Sequence, residues 1–322
     1  MKVLITGATG FVGSHLIEFL LDKNVEIYGT RRWRSSLENI SHLLDKIKLV
    51  DCELTDLISV KRAIEKVKPD IIFHLAAQSF VPAGFSQPRD TIEVNVIGTL
   101  NLLEAVRHSK IDPIIHVCST ADIYGHAIKE GEIVDENRAP RPANLYSVSK
   151  LGEDMLGLQY HISYKLKTIR SRMLTHTGPR RHPSFVESSF AKQVAEIEAG
   201  LRKPVIHVGN LESVRTFLDV RDAVRAYWLL VKKCKYGEVY NICGNATVKI
   251  KSILDTLISY SDVKDKIEVK VDKDLLRPSD TTLPKLDISK FVKATEWKPE
   301  IAFEKTLKDI LDYWREKIKH GK

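Results

Sequence analysis

No apolar run in this sequence approaches the length of a bilayer span, and its longest hydrophobic stretches carry charges within a few residues. Cysteine is scarce. Cys52, Cys118, Cys234 and Cys243 form no CxxC pair and have no histidine at metal-ligand spacing. That argues against a disulfide framework and a zinc site, so no metal is expected and the four read as small apolar fillers. No internal repeat or low-complexity stretch is present. Lysine and arginine exceed acids to give a formal net charge of +8, yet the basic residues are scattered and form no DNA- or RNA-reading motif. The excess suits an anionic small ligand rather than nucleic acid.

What is present is a chain of 322 residues, long enough for a buried core and at most two lobes. It opens Met1-Lys2-Val3-Leu4-Ile5-Thr6-Gly7, a strand running into a glycine turn, so a cytoplasmic protein without a targeting segment is expected. Through residue 175 one rhythm repeats: a short apolar strand, a turn, an amphipathic helix. Strands are predicted at Lys2–Thr6, Glu26–Thr30, Ile47–Asp51, Ile71–Leu75, Ile114–Ser119 and Thr168–Leu174, with helices clearest at Val12–Leu21 and Thr91–Arg107. Near-continuous apolar strands are usually covered by helices on both faces, which predicts an α/β fold with a doubly wound parallel sheet, the Rossmann arrangement.

After Thr175 the rhythm breaks. Pro179 and Pro183 precede a helix from about Ser184 to Gly200, and the chain ends in an amphipathic helix over Phe303–Ile318. The expectation is a dinucleotide-binding domain over 1–175 and a smaller mixed α/β substrate-binding lobe over 176–322. A segment near 215–245, including a helix over Val220–Val231, should return to the first domain. The cleft between the lobes would hold the ligand.

Gly7, Gly10 and Gly13 are spaced GxxGxxG with Phe11 and Val12 between the last two, after a strand and before a helix. Glycine there permits a tight turn and lets backbone approach a pyrophosphate facing the helix N-terminus. The second strand ends in Thr30 followed by Arg31 and Arg32, where a carboxylate would favour NAD. Guanidiniums suit a 2′-phosphate instead, so the expected cofactor is NADP. The ends of the third strand (Glu53, Leu54) and fourth strand (Leu75, Ala76, Ala77, Gln78, Ser79) read as further cofactor edges.

Tyr146-Ser147-Val148-Ser149-Lys150 is YxxxK at the start of a predicted helix, which puts phenol and ammonium on one face. A neighbouring ammonium draws a phenol toward useful acidity. Thr120, at the end of the fifth strand, supplies a hydroxyl able to hydrogen-bond a reacting carbonyl or carbinol. Thr120, Tyr146 and Lys150 are the expected catalytic set.

On these motifs the chain resembles the extended short-chain dehydrogenases/reductases over nearly its whole length. It is most similar to GDP-mannose 4,6-dehydratases and GDP-6-deoxy-4-keto-mannose reductases. The likeness is carried by residues 28–35 (YGTRRWRS), 74–82 (HLAAQSFVP), 175–181 (THTGPRR), 209–220 (GNLESVRTFLDV) and 277–280 (RPSD). The resemblance implies that Lys150, His176 and Arg181 help hold NADP. It also implies that Ser79, Thr120, Thr175, Val186, Lys192, Arg215, Arg277 and Asp280 face a nucleotide-diphosphate sugar, GDP-linked. Isolated basic side chains across a cleft would pair with its diphosphate. Homodimers or homotetramers are likewise implied.

The match departs at Thr120-Ala121-Asp122, where the dehydratases have Thr-Ser-Glu, and at Thr175, where many relatives have Asn. Asp122 stands where the family's C5 base would be, with about 1.5 Å less reach, and a misplacement of about 1 Å costs roughly a hundredfold in rate. The expected activity is that of a GDP-mannose 4,6-dehydratase working through a 4-keto hexose. The alternatives are the 4-keto-6-deoxy reductase and a 4-epimerase. A non-catalytic NADP-binding protein would have no use for the ordered set Thr120, Tyr146 and Lys150.

Overall fold

Short apolar segments that are buried on both faces set the architecture. The computed structural model describes residues 1–127, 132–276 and 285–321. Its strands are β1 (Lys2–Thr6), β2 (Glu26–Arg31), β3 (Lys48–Asp51), β4 (Ile71–His74), β5 (Ile114–Thr120), β6 (Lys167–Met173), β7 (His176–Thr177), β8 (Val205–Val208), β9 (Val214–Asp219), β10 (Val239–Ile242), β11 (Ala246–Lys249) and β12 (Glu268–Val271). Seven form one sheet in the order β3-β2-β1-β4-β5-β6-β10, with every neighbouring pair parallel. The chain builds outward from β1 to β3, then crosses to β4 on the other side. This reversal between β1 and β4 is the switch point at which doubly wound sheets bind ligands, beyond the strands' C-terminal ends.

Two apolar layers sandwich the sheet. One joins Leu16, Ile17 and Leu20 to Ala223, Tyr227 and Leu230, so helix Val220–Lys233 packs back on the first helix, Phe11–Leu21. The other joins Val60 and Ile64 to Leu102, Leu103 and Tyr160. A further cluster gathers Phe190 and Val194 with Ile253, Leu257, Ile310 and Trp314 beside the small sheets β11-β9-β7 and β12-β8.

One element differs from the sequence reading. The helix expected over Thr91–Arg107 is broken into Pro88–Ile92, a π-helical turn over Glu93–Ile97, and Gly98–Arg107. A π turn inserts a residue without ending the apolar periodicity, so the pattern reads as continuous. The inserted turn carries Asn95, which is fully buried.

Candidate active site

Strand β1 ends in Thr6, and Gly7 turns the chain at φ +71°. A Cβ on Gly7 would lie 2.9 Å from Ala76 Cα, and one on Gly13 would lie 2.3 Å from the Gly7 carbonyl oxygen. Both positions therefore require glycine. Helix Phe11–Leu21 starts at Gly10 with no side-chain cap and no acid in its first turn. The N–H groups of Phe11, Val12 and Gly13 thus open the helix as an anion cradle. The Thr6 hydroxyl accepts from the backbone N–H groups of Leu75 and Ala76 at 3.1 and 3.2 Å, tying the ends of β1 and β4 together across the switch point. This cradle fits a dinucleotide pyrophosphate.

Around it the structure gathers residues expected from sequence. The His176 ring stacks on Phe11 at 6.2 Å, and the Arg181 guanidinium lies 5.2 Å from the Phe11 ring and 3.6 Å from that of Phe185. Arg181 Nε and Glu187 Oε1 sit 3.5 Å apart, both buried and without a hydrogen-bond partner among the described residues. Arg31 and Asp51 end neighbouring strands in register, and Arg31 Nε donates to Asp51 at 2.9 Å. Arg32 and Arg34 are exposed. The Glu53 N–H donates to the Ser59 hydroxyl, whereas Leu54 is buried in the core beside Gly98.

Thr120 is the last residue of β5 and is buried. Helix Leu145–Tyr164 begins at Asn144, whose side chain accepts from the Ser147 N–H, and presents Tyr146 and Lys150 one turn apart. Two bonds pin this helix. The Ser119 hydroxyl donates to the Lys150 carbonyl at 3.2 Å, and the Ser149 hydroxyl donates to the Tyr146 carbonyl at 2.7 Å while accepting from Asn95 at 2.8 Å. Asn95 also grips Gln78, accepting from its N–H at 2.7 Å and donating to its carbonyl at 3.0 Å. Ser79 follows at the exposed rim.

Burial and then the Asp122 carboxylate hold the Tyr146 phenol well above its ordinary range, while a hydrogen bond with the Thr120 hydroxyl works the other way. The Asp122 N–H donates to the Thr120 hydroxyl at 3.2 Å. Thr120, Asp122 and Tyr146 therefore act on one another directly. Lys150 is buried and donates to Glu153 at 2.7 Å. His74 bridges Thr6 at 2.9 Å and Thr99 at 3.0 Å, and burial holds its ring down to about 3. Hydrogen bonds thus run from the glycine-turn strand through His74, Thr99 and Asn95 to the YxxxK helix.

The remaining expected residues lie farther along. Thr175 follows β6 and its carbonyl accepts from the Leu218 N–H. Val186 opens helix Val186–Glu198. Lys192 of that helix lines a cavity of about 270 Å³ with Gln193, Arg202 and His207, and lies 5.4 Å from the Trp314 ring. Arg215 sits in β9 opposite Val248. Arg277 and Asp280 lie outside the described residues. Sequence reasoning missed Asn95 and Glu153. The signal for Glu153 was its spacing from Tyr146 and Lys150; Asn95 left only a polar residue within an apolar helical pattern.

The family model for GDP-mannose 4,6 dehydratase matches residues 4–310. The chain belongs to the GDP-mannose 4,6-dehydratase family of extended short-chain dehydrogenases/reductases. Among curated relatives of this family, the GDP-6-deoxy-D-mannose reductase of Pseudomonas aeruginosa is 31% identical over 318 residues, covering 99% of this chain and 98% of that protein. GDP-mannose 4,6 dehydratase 1 of Arabidopsis thaliana is 31% identical over 331 residues, covering 96% and 88% respectively. The solved structure of RMD from Pseudomonas aeruginosa complexed with NADPH superposes with a TM-score of 0.84 at 29% identity, covering 98% of this chain and 99% of that one. As a member of this family the chain is a nucleotide-sugar enzyme that binds NAD(P).

Proposed function

We propose that this chain is an NADP(H)-dependent enzyme acting at C4 of a GDP-linked hexose, and that it works as a 4-keto-6-deoxy sugar reductase. The observation that carries the reading is the Tyr146 phenol, flanked by the Thr120 hydroxyl and held protonated beside the Asp122 carboxylate. A proton donor to a ketone must be a phenol, whereas a base that starts an alcohol oxidation must be a phenolate.

Gly7, Gly10, Phe11, Val12 and Gly13 would hold the cofactor's pyrophosphate, Arg32 its 2′-phosphate, and Lys150, His176 and Arg181 the nicotinamide end. When bound, the nicotinamide supplies hydride exchange at the sugar C4. Thr120 orients the C4 oxygen and Tyr146 gives it a proton. Lys150 stabilises the phenolate that is left. Lys192 and Arg215 would face the substrate diphosphate, with residues 176–322 supplying most of the sugar-nucleotide side.

A dehydratase is the second reading, favoured by the direct coupling of Asp122 to Thr120 and Tyr146. There Asp122 removes the C5 proton after oxidation at C4. One assay separates the two. Oxidation of NADPH only with a preformed GDP-4-keto-6-deoxy sugar supports the reductase; conversion of GDP-mannose to an alkali-sensitive 4-keto product without added reductant supports the dehydratase. Turnover of neither defeats both.

A further inference from the structure

Helix Leu145–Tyr164 carries a third ionisable group on the face of Tyr146 and Lys150. Glu153 lies three residues beyond Lys150 and seven beyond Tyr146, so the three side chains stack along one side of the helix. Glu153 is 1% exposed and Lys150 is 5% exposed. One carboxylate oxygen, Oε2, accepts from Lys150 Nζ at 2.7 Å, and the other, Oε1, has no hydrogen-bond partner among the described residues. Taking a carboxylate out of water with one oxygen unsatisfied opposes folding. The tie between helix and sheet is already made by its neighbour Asp154, which holds Arg170 and Arg172 of β6 at 2.8 and 2.9 Å. What remains for Glu153 is the ammonium it grips.

The surroundings leave that pair electrically prominent. Cys118 and His116 of β5 act on it electrostatically while packing against Tyr227 of helix Val220–Lys233, and His74 acts on it from β4. Burial keeps the His74 and His116 rings neutral and the Cys118 thiol and Tyr227 phenol protonated. Asp154 is matched by its two arginines, while Asp122 and Arg181 act on Tyr146 from beyond the helix.

We propose that Glu153 is a positioning residue, the counter-ion that fixes the Lys150 ammonium and helps hold the proton on Tyr146, so that Tyr146 meets a 4-ketone as a phenol. The consequence for catalysis rests on the reductase reading above; the electrostatic claim does not. A negative charge close to a phenol delays loss of its proton, and Glu153 acts on Tyr146 in that direction. Burial pushes the Glu153 carboxyl up to about 7 against the pull of Lys150, so the charge is fully developed only above neutral pH, where the phenol must be protected.

Glu153→Gln preserves the shape and removes the charge. The first readout needs no cofactor or substrate: tyrosinate absorbance across a pH titration, taken as the difference between each chain and its Tyr146→Phe counterpart, which isolates one phenol among the 10 tyrosines. The Tyr146 signal is expected to emerge at a pH about one unit lower in Glu153→Gln than in the unsubstituted chain. The second readout is the fall of kcat with rising pH in ketone reduction, which should move the same way by about the same amount. A purely structural role would lower kcat at every pH and leave both midpoints in place, and that result overturns the proposal. Should Glu153→Gln fail to fold, Glu153→Asp draws the charge back from the ammonium and must move the tyrosinate onset in the same direction; an unchanged onset again overturns it. A chain inactive on every GDP sugar but shifted in its tyrosinate titration would defeat the functional reading and keep the role of Glu153.

Discussion

The side-chain amide of Asn95 joins Ser149 to the backbone of Gln78: its Nδ2 donates to the Ser149 hydroxyl at 2.8 Å and to the Gln78 carbonyl at 3.0 Å. Ser149 in turn donates to the carbonyl of Tyr146. One amide thereby sets the distance between the loop after β4 and the start of the YxxxK helix. It can do so because the π-helical turn aims a buried side chain at both.

Asn95→Ala should leave the Gln78 N–H without its acceptor and weaken the hold on Ser149. The expected loss is about 1–3 kcal/mol of stability, the usual result of stranding buried polar groups. Urea unfolding measures it, and a change below about 0.5 kcal/mol, the ordinary range of surface substitutions, would show that the amide is dispensable.

Arg32 rather than Arg31 should decide the cofactor, because Arg31 already serves Asp51. Arg32→Ala is expected to weaken NADPH binding by about tenfold or more, the loss of one or two charge-assisted hydrogen bonds, while NADH binding changes little. Fluorescence titration with each nucleotide checks this; equal losses for both would place the 2′-phosphate elsewhere.

For Asp122 the sign follows from its charge. A carboxylate beside Tyr146 favours the phenol, so Asp122→Asn lowers the pH at which the phenol ionises. Ketone reduction, which needs the phenol, should then fall away at lower pH while persisting near neutrality. Dehydration would instead be lost at every pH. A pH–rate profile with both substrates tells these apart.

Acid should destabilise the fold through its buried imidazoles. Burial holds His74 and His116 down to about 3 from an ordinary 6.5. As pH falls below 6.5 the unfolded chain takes up protons that the folded chain refuses, so stability is present at neutral pH and declines toward 3. Each ring should contribute a loss of about 1.4 kcal/mol per pH unit across that window. Urea midpoints between pH 7 and 5 measure the slope, which His116→Gln should reduce by about one proton; a flat profile would mean that the rings are solvated.

Much of the first half of the molecule is legible in the sequence. The predicted strands agree with the observed ones to within a residue at each end, because parallel strands buried on both faces are nearly continuous apolar runs. The glycine turn and YxxxK were equally plain, since each is a local pattern whose chemistry depends on backbone geometry or helical spacing. The small sheets β11-β9-β7 and β12-β8 were legible only as a mixed α/β region, for their pairing joins segments far apart in the chain. The same holds for the ion pair of Arg31 with Asp51, 20 residues along the chain, which altered the weight of one arginine over the next.

By itself the sequence determined the alternation of strand and helix, the anion cradle at Gly7–Gly13 and the chemical identity of Thr120, Tyr146 and Lys150. Only the tertiary structure decided how strongly the Tyr146 phenol holds its proton. Acidity is set by burial and by charges that arrive from other elements, and no local spacing reveals that Asp122 faces Tyr146 or that the Glu153 carboxylate is sealed from water against Lys150.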